Sequence, residues 1–234
     1  MQCRWQVEID PWCRRVLAKQ WPDVRRWDDV RTWPQPDTEP VDLICGGFPC
    51  QDISNAGKRK GITGERSGLW KEFARILGVV RPGYALIENV SAILGRGLDT
   101  VLCDLAAIGF DAEWHCIPAA ACGFFHLRKR IFVVAYPNSQ GRESVLGNFK
   151  AVCKNTIRKE VRNVRSEFAL ESYRCLIERL GYDIRRPGIS GKIDGIPHRV
   201  DRLTGLGNAV VPQVAELIGR MILEQEATHD SRHR

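Results

Sequence analysis

Cys50 lies in the run Gly-Gly-Phe-Pro-Cys-Gln at positions 46–51, just after the mostly apolar stretch Val41-Asp-Leu-Ile-Cys45. A thiol there stands at the end of a buried strand, the edge at which α/β proteins place their active sites. The reactive form of a cysteine is the thiolate, which nearby amides stabilise, and Pro49 stiffens the turn that carries it. Glu88, in Glu88-Asn89-Val90, ends the apolar run that starts at Tyr84, so a carboxylate arrives at the same edge. Arg128-Lys129-Arg130 opens a third apolar run near that edge. A thiol, a carboxylate and guanidinium forks converging on one cleft supply a nucleophile, an acid and clamps for an anion or carbonyl.

The elements that must position these groups follow from periodicity and punctuation. Trp5 to Ile9 is a short strand, and Asp10-Pro11 starts a helix to about Gln20, with Asp as N-cap and Pro in the first turn. Val24 to Val30 is a weak strand, and Pro34, Pro36 and Pro40 mark a loop. Val41 to Cys45 is a buried strand feeding a Gly46-Gly47 turn, and 46–68 form a long loop of the kind that is usually functional. Leu69 to Val80 is helical, stopped by Arg81-Pro82-Gly83, and Tyr84 to Glu88 is a strand. Leu98 to Ile108 is helical with Gly109 as C-cap. Asp111 to Ile117 and Arg130 to Ala135 complete the strands. Strands alternating with helices predict an α/β fold with a doubly wound, mostly parallel sheet.

The bulk numbers fit one catalytic domain with an insertion. The 234 residues suffice for one good-sized core. No stretch is long and apolar enough to cross a bilayer, and Met1-Gln-Cys-Arg-Trp-Gln lacks a signal-peptide core, so the expected location is the cytoplasm. The nine cysteines form no CxxC pair, which argues against structural zinc and predicts mostly small, buried, apolar thiols. The net charge of +7 is uneven: residues 138–200 hold 13 Lys/Arg against 7 Asp/Glu, and the remainder is nearly neutral. A basic segment on a neutral body suits a polyanion. The expected organisation is a main domain at 1–137, a basic segment at 138–200, a motif and helix at 201–226 packing back on the main domain, and a mobile tail at 227–234.

Four motifs occur together in order: Gly-Gly-Phe-Pro-Cys-Gln-Asp-Ile-Ser from Gly46, Glu88-Asn-Val, His126-Leu-Arg-Lys-Arg-Ile-Phe, and Gly207-Asn-Ala-Val-Val-Pro-Gln. In this the chain resembles the DNA (cytosine-5)-methyltransferases, most closely compact bacterial and phage enzymes, over residues 5–137 and about 198–219. The resemblance implies the Rossmann-like fold of S-adenosylmethionine-dependent methyltransferases and methyl transfer to C5 of cytosine in double-stranded DNA. It implies that Cys50 attacks C6 of a flipped base, that Glu88 hydrogen-bonds the N3 side, and that Arg128 and Arg130 hold the base and nearby backbone. It implies that 1–137 is the catalytic domain and 138–200 a reduced target-recognition segment, with a restriction endonuclease as counterpart.

For S-adenosyl-L-methionine, the resemblance implies that Glu8 binds the ribose hydroxyls, that Ile9 packs on the adenine, and that Asp29, followed by Val30, accepts from the adenine amino group. Pro49 and Asn208 belong to the same side of the site. Gln51, Ser54, Lys58, Arg59, Lys60 and Asn89 are the implied DNA contacts, most of them on the loop that would close over the base.

Two departures stand out. His126 occupies a position where the family usually has Gln, and the family's opening Gly-rich turn after a first strand is absent. In a doubly wound sheet that strand is central, so its loss would leave unpaired edges beside it and remove the cradle for the methionine part of the cofactor. The expectation is a fragment or a misassigned start. An inactive remnant that binds DNA or a partner through the basic segment is the alternative function, and an RNA cytosine methyltransferase ranks below both.

Overall fold

The computed structural model describes residues 1–49, 69–119, 128–138, 144–146 and 210–232. The first unit is β1 (Trp5–Val7), α1 (Pro11–Gln20) and β2 (Arg25–Trp27), with β1 and β2 paired in parallel. The predicted cap is present: the Asp10 carboxylate accepts from Cys13 N at 2.8 Å. β2 is shorter than expected because Asp29 caps a 3-10 turn over Val30–Thr32.

The main sheet contains β3 (Leu43–Gly47), β4 (Tyr84–Val90), β5 (Phe110–Pro118) and β6 (Lys129–Pro137), in the order β3-β4-β6-β5. Helices α2 (Leu69–Val80) and α3 (Leu98–Ala107) connect its strands. The final helix, α4, covers Pro212–Arg232. It extends six residues past the expected end at 226, over a stretch without Gly or Pro to break it, so part of the predicted mobile tail is helical. The rest of the 138–209 region, apart from Asn138 and 144–146, lies outside the described residues.

Both faces of the main sheet are covered, which makes it doubly wound. Ala85, Ile87, Ile131, Val133 and Ala135 pack under Trp70 and Leu77 of α2 and Val101 and Leu105 of α3. The alternate residues Tyr84, Leu86, Phe132 and Val134 face Val214, Ile218 and Ile222 of α4. Trp70 Nε1 donates to Asp104 at 2.8 Å, locking α2 to α3. The strand period of two thus feeds two separate cores from one sheet.

Two expectations need correction. β3 and β4 are parallel, but β6 is antiparallel to both of its neighbours. The described sheets therefore hold equal numbers of parallel and antiparallel pairs, and the stretch from 119 to 128 between β5 and β6 is shorter than the connection of a dozen or more residues that parallel pairing needs. The described cysteines are also less buried than predicted: Cys3, Cys45 and Cys103 are exposed and Cys13 and Cys116 half-buried, the other four lying outside the described residues. Cys45 lies on β3, which among the described residues pairs with β4 alone. Among the same residues β1 pairs with β2 alone.

Candidate active site

Gly46 and Gly47 are the last residues of β3, and Gly47 is the register partner of Glu88. A Cβ at Gly47 would stand 2.8 Å from the Glu88 carbonyl oxygen and 3.2 Å from its Oε2. The second glycine is thus required by close approach to a neighbouring strand, not by a turn at that point. Phe48 then dives to the opposite face and packs on Trp70 at 5.4 Å between ring centroids.

Glu88 and Arg130 are diagonal neighbours on antiparallel strands, since Glu88 pairs with Phe132 and Val90 with Arg130. Arg130 Nε stands 3.0 Å from Glu88 Oε1, with only 23% and 14% of the two side chains exposed. The contact is an ion pair by distance but not an aligned hydrogen bond, because Oε1 lacks a well-directed donor. Burial pushes the Glu88 carboxyl above its ordinary range, while the charges of Arg130 and then Arg128 pull it back. On balance burial outweighs the two guanidinium charges, and the carboxyl is held above its ordinary range.

Asn89 holds backbone from two elements together. Predicted as a DNA contact, it is 3% exposed and turned inward. Its Nδ2 donates to the Phe48 carbonyl at 3.2 Å, and its Oδ1 accepts from Val90 N at 2.8 Å. It therefore ties the backbone two residues before Cys50 to the end of β4. Pro49 is exposed and Arg128 half-buried. Cys50, Gln51, Ser54, Lys58, Arg59, Lys60, His126 and Asn208 lie outside the described residues.

The predicted cofactor residues form a second group on the two-stranded sheet. Glu8, half-buried just past β1, accepts from Asp10 N at 2.8 Å through Oε1. Ile9 is 63% exposed, an apolar surface that a flat ring would cover. Val30 is half-buried at the start of the 3-10 turn. Asp29 is more engaged than expected: its carboxylate accepts from Arg31 N at 3.0 Å, from Arg31 Nε at 3.0 and 3.1 Å, and from Arg31 Nη2 at 2.9 Å. These bonds, side-chain first, hold the Asp29 carboxyl below the ordinary range.

Sequence reasoning missed two residues that position these groups. Glu113 of β5 accepts from Ser144 Oγ, Val145 N and Leu146 N, pinning the chain just beyond β6. Arg75 of α2 reaches the turn after Asp29. Their only local signal is a charge at a helical or strand position, which does not identify a distant partner.

The fold matches that of S-adenosylmethionine-dependent methyltransferases. A crystal structure of a DNA modification methyltransferase encoded within an E. coli prophage superposes with a TM-score of 0.51 at 21% identity, over 61% of this chain and 42% of that one. The chain belongs to the C-5 cytosine-specific DNA methylase family, whose model matches residues 1–187. Among its relatives, Type II methyltransferase M.NgoBV of Neisseria gonorrhoeae is 32% identical over 56% of this chain and 34% of its own length. Type II methyltransferase M2.BsuMI of Bacillus subtilis is 33% identical over 55% and 34%. The match thus spans about a third of the length of these curated relatives. Among the described residues, no helix is long and apolar enough to cross a membrane.

Proposed function

We propose that the chain transfers a methyl group from S-adenosylmethionine to C5 of cytosine in double-stranded DNA. The observation that carries this reading is Glu88, largely but not wholly buried, raised in pKa and paired with Arg130, at the sheet edge where Gly47-Phe48-Pro49 lead into Cys50. Family membership supports it.

The thiolate of Cys50 adds to C6 of the base, forming an S–C6 bond and moving the C5–C6 π electrons to C5. The Glu88 acid hydrogen-bonds N3 and steadies the charge that develops on the ring, with Arg130 and Arg128 fixing its orientation. C5 then carries the new methyl group. Loss of the C5 proton to a base re-forms the C5–C6 double bond and expels the Cys50 thiolate. The target leaves the stack to reach this edge, and Gln51, Ser54, Lys58, Arg59 and Lys60 hold the surrounding DNA.

When bound, S-adenosylmethionine would supply the electrophilic methyl group, its S–CH3 bond breaking as the C5–CH3 bond forms and the thioether S-adenosylhomocysteine leaving. The described residues fit S-adenosylmethionine: Glu8 would offer a carboxylate to ribose hydroxyls, and Ile9 and Val30 apolar surface to the adenine, while Pro49 and Asn208 are assigned to the cofactor by the family resemblance alone. Asp29 can accept from the adenine amino group only by sharing a carboxylate that already serves Arg31. The basic segment 138–200 is the reduced recognition region, and a restriction endonuclease of the same specificity is the expected counterpart.

The test is methyl transfer from labelled S-adenosylmethionine to unmethylated DNA by the 234-residue chain, beside Cys50→Ser. Incorporation abolished by the substitution is the expected result. No incorporation by the folded chain would favour an inactive member that binds DNA.

A further inference from the structure

Arg75 lies on α2, the helix that follows the catalytic loop, and its fork crosses to the first unit. Its Nη2 donates to the main-chain carbonyls of Trp33 at 2.6 Å, Val30 at 3.0 Å and Arg31 at 3.4 Å. Its Nε is held by Glu72 at 2.7 Å. The Glu72 charge also reaches Arg31, contributing, after Asp29, to that residue's raised basicity.

The surroundings make this crossing more than surface decoration. Among the described residues, the β1–β2 sheet and the four-stranded sheet are separate sheets. The turn that presents Asp29 and Val30 needs donors for its last carbonyls, as any helical turn does. Trp33, at its end, is buried and packs edge-on against Trp5 of β1. A guanidinium held by Glu72 can serve several carbonyls at once, whereas the point charge of a lysine cannot reproduce that spread.

We infer that Arg75 is a positioning residue for the cofactor: it fixes the Val30–Trp33 turn against α2 and so sets the affinity of the adenine subsite. The inference rests on the assignment of Asp29 and Val30 to the adenine.

The test compares the full chain with Arg75→Lys and Arg75→Gln by amide hydrogen exchange over residues 30–33 and by calorimetric binding of S-adenosylhomocysteine. Both variants should exchange faster in the turn and bind about tenfold more weakly, with Arg75→Lys the milder, as expected for lost charge-assisted hydrogen bonds. In turnover, KM for the methyl donor should rise while kcat and the KM for DNA hold, a split that general loss of fold would not produce. Unchanged exchange, or faster exchange with unchanged affinity, overturns the inference. Absence of binding by the unsubstituted chain would sink the cofactor reading and this inference with it, an outcome distinct from equal binding by all three proteins.

Discussion

Gly47 and Glu88 face each other across parallel strands so closely that a methyl group at position 47 would meet the Glu88 carbonyl at 2.8 Å. Backbone cannot yield there without separating β3 from β4. Gly47→Ala should therefore cost about 1–3 kcal/mol of stability, the usual range for overpacking. It should also displace the Glu88 carboxyl and lower methyl transfer more than it lowers DNA binding. Urea denaturation and single-turnover methylation measure the two effects.

Removing the acid should separate chemistry from binding. Glu88→Gln should slow methyl transfer by ~10²–10⁴-fold, the usual worth of a positioned acid, while DNA affinity holds. Stability gives a second readout. Burial raises the folded-state pKa above the ordinary 4.5, so the carboxyl favours folding while protonated, and that contribution fades as pH rises from 4.5 through the raised value. Glu88→Gln should flatten this decline, which denaturation at a series of pH values would reveal.

The guanidinium beside it acts in the opposite sense. Arg130→Met removes the largest charge effect that lowers the Glu88 pKa, so an NMR titration should find the carboxyl shifted further up. Because the pair is largely but not wholly buried, the cost in stability should be about 1–3 kcal/mol, below that of breaking a fully buried pair.

Asn89→Leu strands the Phe48 carbonyl without its donor and should cost about 1–3 kcal/mol, the penalty for a buried group left unpaired. Its effect on catalysis should appear in kcat, through the placement of Cys50, and not in direct DNA contact. Equal kcat with weakened DNA binding would restore the original assignment of Asn89 to the DNA surface.

Much of this framework is legible in the residues, and what is not has a physical reason. The bounds of α2 and the Asp10 cap follow from local rules: apolar spacing, a stop at Arg81-Pro82-Gly83, and a side chain that reaches its own helix. Glu88 and Arg130 could be brought to one edge because each lies at the end of an apolar run. Strand direction could not be read, since an apolar run has the same pattern in either sense and only the path of 119–128 decides it. Nor could the burial of Asn89 or the reach of Arg75 and Glu113, because a polar residue shows its type and not the distant backbone group it satisfies.

Glu113 leads to one more expectation. Glu113→Ala frees the backbone of Val145 and Leu146 from β5, and should weaken DNA affinity several-fold while leaving S-adenosylhomocysteine binding intact. Filter binding and calorimetry distinguish these outcomes.

The direction of β6 sets a geometric problem for the basic segment. β6 begins beside Glu88 and ends where β4 begins, with Ala135 opposite Ala85. The chain therefore departs toward residue 138 from the rear of the sheet, roughly 20 Å behind the catalytic edge at the usual rise of a seven-residue strand. If residues 138–200 read the DNA sequence, as proposed, they do so from an attachment point at the back wall. The length of that segment acts as a leash, so inserting or deleting residues there should move the bases it can touch while leaving the acid and its arginine where they are.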